Sequence, residues 1–101
     1  METKMTPSSG NVFADLGFDP EEAEHLRVRS DLMIAVRRII EERSLTQAQA
    51  AELFGVTQPR ISNLVRGKID LFSIDTLIDM LARAGVQVDL VLSDGRRRGV
   101  A

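Results

Sequence analysis

Four stretches of this chain place apolar residues three and four positions apart, the spacing that gathers side chains onto one face of a helix. They are Leu32, Val36, Ile39 and Ile40; Ala50, Ala51 and Phe54; Ile61, Leu64 and Val65; and Ile74, Leu77, Ile78 and Leu81. A residue able to cap a helix precedes each. Ser30 opens the first, whose stripe runs out near Arg43 and Ser44. Thr46 with Gln49 three residues on forms a capping box and places Gln47 in the first helical turn. Val56 and Ile61 bracket Thr57, and Phe72 and Leu77 bracket Ser73, as hydrophobic staples do. Gly55 and Gly85 end the helices they follow, since glycine takes positive φ at little cost. Upstream, Asp19, Pro20 and Glu21 read as N-cap, first-turn proline and an acid suited to the positive end of a short helix. Beyond Gly85 the period changes: VQVDLVL, residues 86 to 92, alternates and is rich in branched side chains, so a strand is expected. The fold class is therefore mainly α, five helices with one C-terminal β-strand.

One strand cannot satisfy its own backbone. The chain offers it NVF near the start, or the same strand of a second subunit. Antiparallel pairing about a two-fold axis makes Val86, Val88, Leu90 and Leu92 the expected dimerisation residues. Residues 1–10 hold Thr, Pro, Ser and Gly with little to pack and are expected to be mobile. Val12, Phe13, Leu16 and Phe18 should dock, on their own domain or as a binding motif for another protein. This gives a flexible N-terminus (1–10), a domain with its dimerisation strand (11–92) and a basic tail (93–101). A single domain of this size buries a modest core, so association is an easy source of stability.

The richest segment is LTQAQAAELFGVTQPRISNLVRGK, residues 45 to 68. Two small residues in its first helix let another helix approach closely, Gly55 turns the chain sharply, and Ile61, Leu64 and Val65 form the inward stripe of the second helix. That leaves Gln58, Arg60, Ser62, Asn63 and Arg66 outward. Amides there are poorly explained as solubilisers, whereas Gln and Asn pair bidentately with adenine in the major groove. Pro59 biases Gln58 away from helical dihedrals, so the helix is expected to begin at Pro59 with Gln58 half outside, and the proline ring itself can meet only apolar groups such as a thymine methyl. Arg66, Gly67 and Lys68 follow as a basic turn suited to phosphates.

This segment resembles the phage-repressor class of helix-turn-helix proteins, the Xre or Cro-like family. With NVFADLGF before it and FSIDTLIDMLARAGVQVDLVL after it, the resemblance extends from about Asn11 to Leu92, toward small regulators that serve as Hig-type antitoxins. The resemblance implies that the second helix enters the major groove while the first crosses the backbone. It implies base contacts from Gln58 and Asn63 and a phosphate contact from Gln47; the outward Arg60 is expected to read base edges with the two amides, and Arg66 and Lys68 to join Gln47 on phosphates. The implied partners are double-stranded DNA carrying an inverted repeat, a second copy of the chain, and a small basic RNase-like toxin.

The net charge of −2 hides an uneven distribution. Residues 1–26 carry −5, residues 27–68 carry +4 and residues 69–101 carry −1, so the positive block coincides with the helix-turn-helix and can neutralise phosphates. Arg37 and Arg38 lie in that block, beside or away from the apolar stripe. The acidic start suits a basic protein partner. Without cysteine there is no disulfide framework and no thiolate zinc site, and the single histidine, His25, sits among acids as a surface residue, so neither metal nor cofactor is expected. No nucleophile with a histidine base and no phosphate-binding glycine loop is present, which argues against an enzyme. The first residues lack the apolar run of a signal peptide, and no segment has the length of a membrane span; a cytoplasmic protein is expected. The reading is a homodimeric, sequence-specific repressor, as an autoregulating antitoxin or as a solitary regulator. The rival is a protein-interaction module that neutralises a toxin, with DNA binding secondary. A ligand-sensing regulator has little room for an effector domain.

Overall fold

In the computed structural model residues 12–93 are described. They form α1 (Val12–Asp15), α2 (Pro20–Glu42), α3 (Gln47–Phe54), α4 (Gln58–Val65), a 3-10 turn (Ile69–Leu71) and α5 (Ile74–Arg83). Five helices are present, but they divide the first half of the chain differently from the expectation. The short helix expected at Asp19 and the helix expected from Ser30 are one continuous helix of 23 residues, about 35 Å long at 1.5 Å per residue. Serine caps a helix only where the chain arrives non-helical, and nothing between Glu21 and Glu42 is a glycine or proline. Arg27 further ties Glu24 to Asp31 through ion pairs that run past Ser30 along the same helix. Asp19 holds the N-cap position with Pro20 at N1, yet its carboxylate makes no cap hydrogen bond.

All five helices stop in the same way. The amide two or three residues beyond the last helical residue donates back across five residues: Phe18 to Phe13 O, Leu45 to Ile40 O, Val56 to Ala51 O, Lys68 to Asn63 O and Val86 to Leu81 O, at 2.9–3.2 Å. This is the 6→1 bond of a Schellman turn, with a residue of positive φ between donor and helix. That residue is glycine four times and Ser44, at φ 52°, once.

The core lies where α2, α3, α4 and α5 meet. Met33 and Val36, Ala50, Ala51 and Phe54, Ile61 and Leu64, and Leu77, Met80 and Leu81 close around Phe72. Three residues of the expected stripes are not in it: Ile74 is only partly buried, and Val65 and Ile78 are each 37% exposed. On α5 Met80 fills the place expected of Ile78, because a residue one step past Leu77 is turned about 100° away from it.

α1 packs against the first half of α2 over the buried Ala23 and Leu26. Phe13 and Phe18 meet edge to face with centroids 6.1 Å apart, the arrangement their ring quadrupoles favour. Val12, Leu16 and Phe18 nevertheless remain exposed. Among the described residues there is no strand: Val86–Ser93, the segment expected to form one, carries no β-ladder within the single chain. Val12 and Phe13 of its candidate partner NVF are helical, and Asn11 lies outside the described residues. Val86 and Val88 pack instead on the core, while Leu90, Val91 and Leu92 are 78%, 91% and 90% exposed. The mobile start expected at 1–10 lies outside the described residues, as does most of the basic tail.

Candidate nucleic-acid interface

The helix pair α3 and α4 is built from local signals. The hydroxyl oxygen of Thr46 accepts from the Gln49 amide at 3.1 Å, and the Gln49 side-chain oxygen accepts from the Thr46 amide at 2.9 Å. This reciprocal cap fixes the start of α3 and commits Gln49, leaving Gln47 exposed beside it in the first turn. Ala50, Ala51 and Phe54 bury the inner face. At Gly55 the backbone turns left-handed, φ 72° and ψ 33°, and α3 ends. The Arg83 side chain, from the end of α5, lies directly over this turn: a Cβ on Gly55 would sit 2.5 Å from its Nε.

α4 begins one residue earlier than expected. Gln58 is its first residue, so Pro59 stands at the second position, where its missing N–H is one that a helix start leaves unpaired. The restraint that a proline places on its predecessor is outweighed by the extended Thr57, whose hydroxyl oxygen accepts from the Arg60 amide at 3.3 Å, and by the apolar contact expected between Val56 and Ile61.

Ile61 and Leu64 are fully buried and set the rotation of α4. At about 100° per residue the opposite face is centred on Pro59, Ser62, Asn63 and Arg66, with Gln58 and Val65 on one flank and Arg60 on the other. Gln58, Pro59 and Arg66 are exposed, and Ser62 and Asn63 partly so. Arg60 is already engaged within the chain. Its Nη1 donates to Leu71 O at 3.3 Å, and its guanidinium lies 4.9 Å from the centroid of the buried Phe72 ring, a cation–π arrangement worth about 0.5–1 kcal/mol near a surface.

Beyond α4, Arg66, Gly67 and Lys68 form the expected turn, with both cations exposed. The Lys68 amide donates to Asn63 O at 3.0 Å and its carbonyl accepts from the Leu71 amide at 3.1 Å, so Lys68 is tied to α4 behind it and to the 3-10 turn ahead. A second arginine reaches that turn from α2: Arg29 Nη1 donates to Ile69 O at 3.4 Å. Neither Arg29 nor Arg83 was singled out by sequence reasoning, and no local pattern marks them. Of the arginines that were, Arg37 and Arg38 are exposed on α2, Arg37 within 3.9 Å of Glu41.

The resolved ionisation shifts lie on α2, away from this face. Hydrogen bonding to Glu24 raises the pKa of Arg27, opposed by partial burial. Burial raises the Asp31 carboxyl above its ordinary range, outweighing the attraction of Arg27. Among the described residues no group of three or more His, Cys, Asp or Glu side chains is placed to hold a metal ion, and no helix is long and apolar enough to cross a membrane.

Two short helices joined by a left-handed glycine turn, sealed inside by Ala51, Phe54, Ile61 and Leu64 and polar along the outer face of the second, constitute a DNA-binding helix-turn-helix. The chain belongs to the helix-turn-helix domain family, whose model matches residues 12–93. No curated protein matches the chain.

Proposed function

We propose that the protein is a sequence-specific transcriptional repressor that binds an inverted repeat as a homodimer. The observation that carries this reading is the polar side of α4, where Asn63 stands on the outer face and Gln58 on its flank at the start of the helix, with Arg66 and Lys68 exposed just past its end. Asn63 and Gln58 read base edges by bidentate pairing, Pro59 touches apolar groups, and Gln47, Arg66 and Lys68 set the register through phosphates. The dimer is supported by Leu90, Val91 and Leu92, exposed in the single chain at the end of a segment whose alternation suits pairing with its own copy. Its two reading helices then address half-sites with centres about 34 Å apart, or a multiple of that. Repression follows from occlusion of a promoter, its own in the simplest arrangement.

Within this reading an antitoxin role stands beside that of a solitary regulator. It is favoured by one feature that DNA binding leaves unused: the exposed Val12, Leu16 and Phe18 adjoin Asp15, Asp19, Glu21 and Glu22, a surface suited to a small basic protein such as an RNase-like toxin. Selection of duplexes from a random pool, followed by footprinting, tests the main proposal. An enriched palindrome protected on both half-sites is expected; enrichment of nothing above the starting pool at moderate salt refutes it.

A further inference from the structure

We infer that Arg29 and Arg60 are positioning residues for DNA binding: from two different helices they hold the 3-10 turn that presents Lys68, and Arg60 does not read bases. The inference rests on the phosphate role proposed for Lys68.

The turn Ile69–Leu71 has no buried residue of its own. Its first carbonyl, Ile69 O, accepts from Arg29 on α2, and its last, Leu71 O, accepts from Arg60 on α4. Two helices that are 40 and 11 residues away along the chain thus grip consecutive ends of a three-residue element. The Leu71 amide in turn donates to Lys68 O, so any rotation of Leu71 is passed to Lys68 through a single hydrogen bond. Arg60 is pinned a second way, by stacking over Phe72, which is 1% exposed and anchors the turn in the core. A guanidinium can lie flat on a ring and donate sideways at once; an ammonium cannot. Arg60 also projects from the flank of α4, about 110° from the centre of its outer face at 100° per residue. Committed to Phe72 and Leu71, and turned away from that face, it serves the interface by fixing the cation that touches the backbone.

The test uses the full chain and one duplex that the wild-type protein has enriched from a random pool. Binding is titrated from 50 to about 200 mM salt for Arg60→Lys, Lys68→Ala and the double variant. Lys68→Ala should flatten the salt dependence by about 0.9 in slope, one phosphate contact. Arg60→Lys, which keeps the charge, should weaken binding up to about five-fold, the range of one exposed ion pair, with base-pair preferences unchanged. The double variant should bind no worse than Lys68→Ala. Without DNA, Arg60→Lys should speed hydrogen exchange at the Leu71 amide while the Ile61 and Leu64 amides keep their protection; Arg29→Lys should do the same. Losses that multiply, a preference altered at one base pair, or an unchanged Leu71 amide overturn the positioning role and leave the DNA-binding proposal standing. An unaltered salt slope in Lys68→Ala overturns the phosphate role and this inference with it.

Discussion

Replacing Gly55 by Ala tests how much of the helix-turn-helix depends on one backbone conformation. Two costs are in play. Holding an L-residue left-handed at φ 72° costs about 1–2 kcal/mol, and the new Cβ would fall 2.5–2.7 Å from three atoms of Arg83. The second cost is small, because those atoms belong to the far end of an exposed, flexible side chain that can swing aside. Against both stands a gain of about 0.4–1 kcal/mol from the stiffer unfolded chain. The net is about 1 kcal/mol of destabilisation, which in a domain of this size lowers Tm by about 4–8 °C. Thermal melts followed by circular dichroism on Gly55→Ala, Arg83→Ala and the double variant separate the two costs. If backbone strain dominates, Arg83→Ala leaves the Gly55→Ala penalty intact. Recovery of most of the lost stability in the double variant would refute the assignment to φ and place the cost in the contact with Arg83.

The other expectations follow from single features. Ser44→Gly relieves the one left-handed non-glycine residue among those described and should stabilise the fold by about 0.5–1 kcal/mol, read as a higher urea midpoint at unchanged m-value. Asn63→Ala should cost about 1–3 kcal/mol on the selected duplex and relax one base pair, whereas Lys68→Ala should weaken all duplexes alike; competition across single-base variants tells the two patterns apart. Leu90→Asp should abolish self-association in sedimentation while leaving the helical spectrum intact, because Leu90 is exposed in the single chain and apolar at the proposed dimer contact. Asp31 has a folded pKa above its unfolded value because of burial, so the folded state holds its proton more readily and this residue's contribution to stability falls as pH rises between the two values. Asp31→Asn should therefore match or exceed the wild-type Tm at pH 7 despite losing the Arg27 pair, with no corresponding gain below the unfolded pKa; a clear loss at pH 7 would show that the ion pair outweighs burial.

What was legible in the sequence was what the chain encodes over short distances. Thr46, Gln49, Gly55 and Thr57 act within six residues of where they stand, and the caps and turn they predict are the ones observed. Ser30 misled because a serine permits a helix start without requiring one; the decision lay in the uninterrupted helix formers around it and in the Glu24–Arg27–Asp31 pairs. Val65 and Ile78 fit the helical period but stand at the edge of their stripes, and only packing shows where the stripe stops. The alternation from Val86 to Leu92 was equally clear, yet a strand is a property of two segments, and the single chain supplies one. Least legible were the arginines: Arg29 to Ile69 and Arg60 to Leu71 are side chain to backbone bonds created when α2, α4 and the 3-10 turn meet, and no spacing along the chain announces them.

The shared way in which the helices end has a kinetic consequence. Each stop needs only a carbonyl and an amide five residues apart with one left-handed residue between them, so the place where an element ends depends on its own neighbourhood and not on distant parts of the chain. Helix boundaries written so locally suit a fast search, in the microsecond to millisecond range of about 10⁻⁶ to 10⁻³ s typical of helical domains. Stability is distributed the other way. Eight-residue helices such as α3 and α4 fall below the length of about 12–15 residues at which isolated helices become even marginal in water, so neither outlives the core that Phe54, Ile61, Leu64 and Phe72 share. The helix-turn-helix therefore forms and is lost in one step with the rest of the domain, and a partly unfolded chain retains no weaker version of it.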